Sequence, residues 1–532
     1  MLLACFREAF LNSGYKHISY RNIYIKMQSI NHTLETKTLR EVSIEEVHKI
    51  NPFSKFVQGQ RVVQIPELQL ESGITLYNIP VAYKTWGNLN ETGNNVLVIC
   101  HALTGSADVS DWWGPLLGND LAFDPSRFLV ICLNSMGSPY GSFSPLSINE
   151  ATGERYGPEF PLCTVRDDVR AHRIVLDSLG VKSIVCVIGG SMGGMAALEW
   201  TVMYGENYVK NLVALATSAR HSAWCISWSE AQRQSIYSDP KYTDGYYALD
   251  NPPTTGLSAA RMAALLTYRS RNSFEDKFSR RTPSDSQHQK YITSKNRRDS
   301  LLDDQPSTVN EQSLQIHNDG IAAVNCAKLS SYSSQKLSKR NNSTSSTESG
   351  SSIKSIHSVS STTSISSVVT GEVKETKPAQ TYFSAQSYLR YQGTKFINRF
   401  DANCYIAITR KLDTHDLARE RYEHDEDIAR VLGDVTQPSL IIGISSDGLF
   451  TYSEQEFLAE HIKHSQLEKI ESSEGHDAFL LKFKLINELI VNFLNKNCTE
   501  ITQSKPQEWI GNPGNDENAA SLFGEAEEVT NW

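Results

Sequence analysis

The sequence contains no Cys-x-x-Cys pair. Its nine cysteines (Cys5, Cys100, Cys132, Cys163, Cys186, Cys225, Cys326, Cys404 and Cys498) are scattered and odd in number. Cys100, Cys132 and Cys186 sit inside apolar runs and read as small buried hydrophobes. This usage points to a reducing compartment, so a cytoplasmic protein is expected. No stretch of ~18 apolar residues is present, and no membrane span is expected. Positive charge is also short. Lys and Arg number 51 against 60 Asp and Glu, a formal charge of −9, where a nucleic-acid binder usually shows a basic excess. The remaining balance, 39 % hydrophobic and 21 % charged residues over 532 positions, suits a soluble globular protein. Length alone suggests several domains, but α/β enzymes run long and insertions inflate the count.

The chain divides by composition. Residues 1–50 form an N-terminal extension. Met1 to Lys26 is mildly basic, with Arg7, Lys16, Arg21 and Lys26 against Glu8. It reads either as a weak organellar presequence or as residues upstream of a start at Met27. The lack of a clear cleavage signal or an Arg-rich amphipathic helix favours Met27. Residues 279–377 are a low-complexity insertion, Ser-rich from about Asn341 to Val369. Such a stretch buries too little apolar surface to offset its ordering entropy, so a disordered spacer is expected, phosphorylated or unmodified. Residues 501–532 are a tail with an acidic run, Glu525-Ala526-Glu527-Glu528.

Between these lie apolar strands alternating with helical patterns. Val96–Cys100, Phe128–Leu133, Ile184–Ile188, Leu212–Leu215, Ser439–Ile444 and Leu467–Ile470 read as buried strands. Val165–Leu179, Gly194–Tyr204 and Ser453–His461 read as helices. Continuous apolar strands alternating with helices imply a mostly parallel sheet covered on both faces. The core is therefore assigned to 51–217 and 431–500, and 218–278 with 378–430, rich in Trp, Tyr and Arg, to a helical cap. The fold class is α/β, of the α/β-hydrolase type.

One pattern carries chemistry. Gly189-Gly190-Ser191-Met192-Gly193 lies between a strand and a helix, the setting of a nucleophile elbow. A serine hydroxyl needs a base to take its proton and an acid to orient the base. In this fold the order is Ser, then Asp or Glu, then His. Asp447 follows one strand and His476 follows the last, both in loops on the edge that carries Ser191. His461 and His464 lie on or near a helix, and His415 and His424 in a charged segment. His101 precedes the serine, the wrong order for the base, and reads as structural. The amides of Met192, at the helix start, and Leu103, after the first parallel strand, are the candidate oxyanion donors.

Around these residues the sequence resembles the homoserine O-acetyltransferase family, most closely its fungal members. The matching motifs are His101-Ala102-Leu103-Thr104-Gly105, Asp111-Trp112-Trp113-Gly114-Pro115, Asn134-Ser135-Met136-Gly137-Ser138-Pro139-Tyr140-Gly141-Ser142, the elbow, and Glu474-Gly475-His476-Asp477-Ala478-Phe479-Leu480. The likeness runs from about Thr38 to Trp532, apart from the insertion. The insertion and Ser138-Pro139-Tyr140 depart from bacterial relatives. The resemblance implies acetyl transfer from acetyl-CoA, through acetyl-Ser191, to the side-chain hydroxyl of L-homoserine, in methionine biosynthesis. Acetyl-CoA is then a substrate, and no metal or resident cofactor is implied. It also implies a homodimer, with no nucleic-acid or membrane partner. By the same carry-over Arg261 and Asp477 contact homoserine; charge assigns Arg261 to the α-carboxylate and Asp477 to the α-ammonium group. The rival readings are a succinyl-CoA donor, an L-serine acceptor or an α/β-hydrolase esterase. One methylene of acceptor is worth only ~1–3 kcal/mol of discrimination.

Overall fold

The computed structural model describes residues 38–282, 317, 383–422 and 427–509. The expectations for Met1–Lys26, for the Ser-rich stretch 341–369, for His424 and for the acidic run 525–528 lie outside these residues.

The core is a nine-stranded sheet in the order β1-β2-β3-β5-β4-β6-β7-β8-β9. Its strands are β1 (Arg40–Val42), β2 (Arg61–Gln69), β3 (Thr75–Trp86), β4 (Val96–Cys100), β5 (Leu129–Leu133), β6 (Ile184–Gly190), β7 (Leu212–Leu215), β8 (Ser439–Ile444) and β9 (Ser465–Ile470). From β5 to β9 every pairing is parallel, and β1, β2, β3 and β5 pair antiparallel. The apolar runs expected as strands form the parallel part. The sheet itself begins earlier than the expected boundary, since β1 lies inside residues 1–50. Helix α1 (Val165–Ser178) starts on a reciprocal capping box between Thr164 and Asp167. Helix α2 (Met192–Tyr208) follows β6 without a linker beyond Ser191.

Both faces of the sheet are buried, which is why β4 needs apolar side chains at every position. Leu97 and Ile99 enter one core cluster, and Val96, Val98 and Cys100 the other. The second cluster takes Val169 and Val175 of α1 and Leu198 and Trp200 of α2.

Between β7 and β8 the chain leaves the sheet to form α3 (Ala223–Tyr237), α4 (Thr254–Tyr268), α5 (Arg271–Lys277), α6 (Ser384–Ile397) and α7 (Ala402–Asp413). Helix α4 packs on α3 and α6, and α7 packs on α3. Leu257, Ala260, Phe396, Tyr405 and Ile408 of this segment belong to the same cluster as Leu97 and Ile99. Exit and return are tied by an antiparallel bridge between Arg220 and Asp416, whose side chains pair at 2.8 Å. The amide of Ser384 donates to the Arg281 carbonyl at 2.8 Å, and Phe278 packs on Tyr388 with ring centroids 5.0 Å apart. The chain thus re-enters beside its exit. Helices α8 (Tyr452–His461) and α9 (Phe483–Asn497) complete the layers, and α9 turns Ile486, Ile490, Phe493 and Leu494 inward at helical spacing.

Buried charge fixes the segment to the core. Lys411 of α7 pairs with Asp168 of α1, with 1 % and 5 % of the side chains exposed, and also donates to the Met136 carbonyl at 2.7 Å. Lys411→Met would strand the Asp168 carboxylate in the interior. We expect ~3–5 kcal/mol of destabilisation, because removing one partner of a buried pair leaves an uncompensated charge. Denaturant unfolding measures it, and a loss below about 1 kcal/mol would show that solvent reaches the pair. Because Arg281 and Ser384 already meet, excising the Ser-rich core at 341–369 should leave both the melting temperature and turnover nearly unchanged. A large loss of either would mean that the insertion takes part in the fold or the reaction.

Candidate active site

The strand-to-helix turn is set by close backbone contacts. A Cβ on Gly189 would lie 2.1 Å from the Gly193 carbonyl oxygen, and a Cβ on Gly193 would lie 2.0 Å from that of Cys100. Neither position admits a side chain. Between them Ser191 takes φ 58° and ψ −127°, a conformation that costs a non-glycine residue on the order of 1–3 kcal/mol. Surrounding hydrogen bonds hold it there. The Ser191 amide donates to the Leu215 carbonyl at 3.0 Å, and Thr217 Oγ1 donates to the Ser191 carbonyl at 2.8 Å. Gln455 of α8 fixes Thr217 in turn, accepting from its amide at 3.2 Å and donating to its carbonyl at 2.6 Å.

Met192 is the first residue of α2, so its amide has no carbonyl one turn back to bond within the helix. Leu103 lies in the tight turn after β4 that the Gly105 amide closes onto the Ala102 carbonyl at 3.0 Å. The contact of Gly193 with Cys100 brings this turn next to the elbow.

Asp447 and His476 meet at the ends of β8 and β9. His476 Nδ1 donates to Asp447 Oδ2 at 2.7 Å. The other carboxylate oxygen accepts from the amides of Leu449 and Phe450 at 2.8 and 2.9 Å, so both oxygens are oriented. Ser446 Oγ accepts from the Gly475 amide at 2.9 Å and joins the two loops. The rings of Phe479, Phe450 and Tyr268 surround the imidazole at 5.1, 5.3 and 6.0 Å. Phe479 also abuts Gly190, whose Cβ would fall 2.8 Å from the ring. One aromatic side chain therefore spans the residue before Ser191 and the imidazole of His476. Burial disfavours the imidazolium, but the charge and hydrogen bond of Asp447, with the charge of Asp477, hold its pKa above the ordinary 6.5.

The other histidines fall elsewhere. The His101 ring donates from Nδ1 to the Ala102 carbonyl at 2.8 Å and accepts from the Ser135 amide at Nε2 at 3.0 Å. Burial lowers its pKa to about 4, so it is a neutral brace between two loops. His415 is buried against the Ser218 carbonyl, and burial lowers its pKa to about 4 as well. His461 bonds its own helix at the Phe457 carbonyl.

Arg261 lies on α4 and is 1 % exposed. Its guanidinium sits 5.3 Å from the ring of Tyr268 and 5.0 Å from that of Phe396. Tyr268 thus joins Arg261 to His476. Asp477 is buried, and its Oδ2 lies 2.9 Å from Nε of Arg269, whose Nη1 also pairs with Glu474 at 2.6 Å. Sequence reasoning passed over Tyr268 and Arg269, at the end of α4, and Phe450. They carry no motif of their own; their part comes only from how α4 and the Asp447 loop fold over His476.

Parallel sheet, elbow and ordered Asp–His pair together define an α/β-hydrolase-fold protein. A family profile described as "alpha/beta hydrolase fold" matches residues 95–300. A solved homoserine O-acetyltransferase from Bacillus anthracis superposes with a TM-score of 0.59 over 82 % of this chain and 98 % of its own, at 20 % identity, a likeness of fold. Sequence reaches further. Proteins named homoserine O-acetyltransferase are similar to it at 74 % identity in Saccharomyces cerevisiae and 73 % in Saccharomyces pastorianus, each over 94 % of this chain and 100 % of the relative. One from Ascobolus immersus is 52 % identical over 91 % of this chain and 95 % of its own. The chain belongs to the homoserine O-acetyltransferase family.

The raised pKa of His476 has a visible consequence. A base works only when neutral, so labelling of Ser191 by a fluorophosphonate should rise with pH through a midpoint above 6.5. Asp447→Asn removes the group that favours the imidazolium, so the midpoint should move to lower pH while the plateau rate falls. Glu454 is a needed control, since burial, with a smaller push from Asp447, raises its pKa to about 7. The limb should survive in Glu454→Gln. A midpoint lost in Glu454→Gln would assign the titration to Glu454 and not to His476.

Proposed function

We propose that the protein moves an acetyl group from acetyl-CoA to the side-chain hydroxyl of L-homoserine through an acetyl-Ser191 intermediate, giving O-acetyl-L-homoserine and coenzyme A. His476 takes the Ser191 proton as Oγ attacks the thioester carbonyl. The tetrahedral oxyanion points at the amides of Met192 and Leu103. As it collapses, the C–S bond breaks and His476 returns the proton to the coenzyme A thiolate. The homoserine hydroxyl then enters the same site, gives its proton to His476 and attacks the acetyl carbon; Ser191 Oγ leaves and takes that proton back. Each oxyanion donor is worth ~2.7–4 kcal/mol in such a site. The product suits the entry to methionine biosynthesis, and a cytoplasmic setting agrees with seven unpaired cysteine thiols among the described residues.

The observation that carries this reading is the Asp447–His476 pair at 2.7 Å on the sheet edge that bears a strained serine, in a chain 73–74 % identical to proteins named homoserine O-acetyltransferase. Helices α3 to α7 act in it as a cap. Arg261, held between two rings, takes the α-carboxylate. Asp477 takes the α-ammonium group at Oδ1, since Arg269 engages Oδ2. Tyr268, Phe450 and Phe479 enclose the base and favour transfer over hydrolysis by keeping water from the acyl-enzyme.

Incubation with acetyl-CoA should release one burst of thiol and add an acetyl mass to the peptide containing Ser191; homoserine should then give steady turnover and O-acetylhomoserine. Ser191→Ala should give neither burst nor product. Steady thiol release without an acceptor would mark a hydrolase instead. Preference for succinyl-CoA would overturn the acetyl assignment, and preference for L-serine the acceptor assignment.

A further inference from the structure

Arg399 lies in the short turn between α6 and α7 and is only 2 % exposed. Its Nη1 donates to the Thr104 carbonyl at 3.2 Å and to the Tyr140 hydroxyl at 3.0 Å. The Tyr140 hydroxyl in turn donates to the Arg399 carbonyl at 2.9 Å. The guanidinium lies 5.0 Å from the ring of Phe396, the same ring that Arg261 approaches at 5.0 Å. Burial, reinforced by nearby Arg261 and only partly offset by Tyr140 and Asp111, holds the Arg399 pKa below its ordinary value. A buried cation with a like charge nearby is costly, and a residue chosen for packing alone would be apolar. What a guanidinium adds is a rigid planar set of donors that fixes the carbonyl it binds.

That carbonyl belongs to the residue after Leu103. The turn from Ala102 to Gly105 is closed locally by the backbone bond from the Gly105 amide to the Ala102 carbonyl at 3.0 Å. The Leu103 amide shares a peptide plane with the Ala102 carbonyl that Gly105 binds, and the Gly105 amide shares one with the Thr104 carbonyl, which Arg399 holds from 295 residues away in sequence. Tyr140 sets the guanidinium from the loop after β5, accepting from its side chain and donating to its backbone.

We propose that Arg399 is a positioning residue for acyl transfer: through the Thr104 carbonyl, and braced by Tyr140, it aims the Leu103 amide at the acyl oxygen. The proposal rests on Ser191 as nucleophile and Leu103 as oxyanion donor. It makes oxyanion stabilisation dependent on the helical segment being docked, because the aiming residue comes from that segment.

The test uses the full-length protein and the variants Arg399→Lys and Tyr140→Phe. Lysine keeps the charge and loses the fork. Three rates are read: the thiol burst with acetyl-CoA, kcat with homoserine, and labelling of Ser191 by a fluorophosphonate, which uses the oxyanion site but no acceptor. Arg399→Lys should slow all three by roughly tenfold to a hundredfold, while KM for homoserine stays within about twofold. Tyr140→Phe should slow the same rates less, and should cost little more when added to Arg399→Lys, because the two act as one unit. Wild-type burst and labelling rates in Arg399→Lys overturn the proposal. So does an effect confined to KM for homoserine, which would put Arg399 on the acceptor. If Arg399→Lys fails to fold, Tyr140→Phe decides alone: it deletes one oxygen, and unchanged burst and labelling rates overturn the proposal. Ser191→Ala separates this from the nucleophile assignment. Thiol burst and labelling retained in Ser191→Ala defeat that assignment; their loss there, beside unaffected Arg399→Lys, defeats only the positioning role.

Discussion

The start of α2 is driven so close to the end of β4 that the Cys100 carbonyl occupies the space a Gly193 side chain would need. Much of the site follows from this contact. To reach it the chain must reverse within one residue after β6, and Ser191 absorbs the reversal in its left-handed φ. The same approach sets the first amide of α2 beside the turn after β4, so the two candidate oxyanion donors become neighbours although 89 residues of sequence numbering separate Leu103 from Met192. On the other flank the Ser191 carbonyl is caught by Thr217 and, through it, by Gln455 of α8. The strain is of the order of 1–3 kcal/mol, small beside the burial of β4, β6, β7 and β8, whose residues are inaccessible along their whole length.

Charge does for the helical segment what shape does for the elbow. Where the chain returns to the sheet, Arg166 of α1 binds Glu71, Glu199 and the carbonyls of Asp416 and Leu417. Arg419 and Arg421 complete the group by pairing with Glu71 and Glu199. Buried pairs of this kind contribute little net stability against apolar replacements, but their geometry is exacting. Together with Lys411 and Asp168 they fix the orientation of α3 to α7 over the sheet edge. Tyr268, Arg261 and Arg399 therefore reach the site from a firmly placed segment, although the chain between α5 and α6 runs through a long Ser-rich stretch.

How much of this was legible depended on which signal a residue carried. Strands β4, β6, β7 and β8 are buried on both faces, so each is an uninterrupted apolar run that stands out by itself. Strands β2 and β3 do not, because they mix buried and exposed positions irregularly and contain Pro66 and Pro80. Their pattern is diluted below what periodicity alone resolves. Order and loop position pointed to Ser191, Asp447 and His476 as a set, and the structure brings Asp447 and His476 into contact. Arg261 and Asp477 were visible only through resemblance. Their environments were not: nothing local says that Arg261 lies between two rings or that Asp477 shares its carboxylate with Arg269. Those facts belong to the crossing of α4 over the His476 loop, a contact between residues more than 200 positions apart.

That crossing bears on why such a site would transfer an acyl group and not hydrolyse it. Water needs no recognition, so an acyl-enzyme survives only if water is excluded until an acceptor arrives. His476 is 3 % exposed and walled by aromatic rings from three separate elements. Under the proposed function an amino-acid acceptor brings both an anion and a cation, and the buried Arg261 and Asp477 offer one complement each. Water offers neither, so the charged pair discriminates strongly against water in binding, whereas serine carries the same two charges and differs only in reach. Selection of homoserine over serine must then come from the distance between the Arg261–Asp477 pair and Ser191, a distance fixed by how α4 docks over the sheet and so, in the end, by the buried charges that hold the helical segment in place.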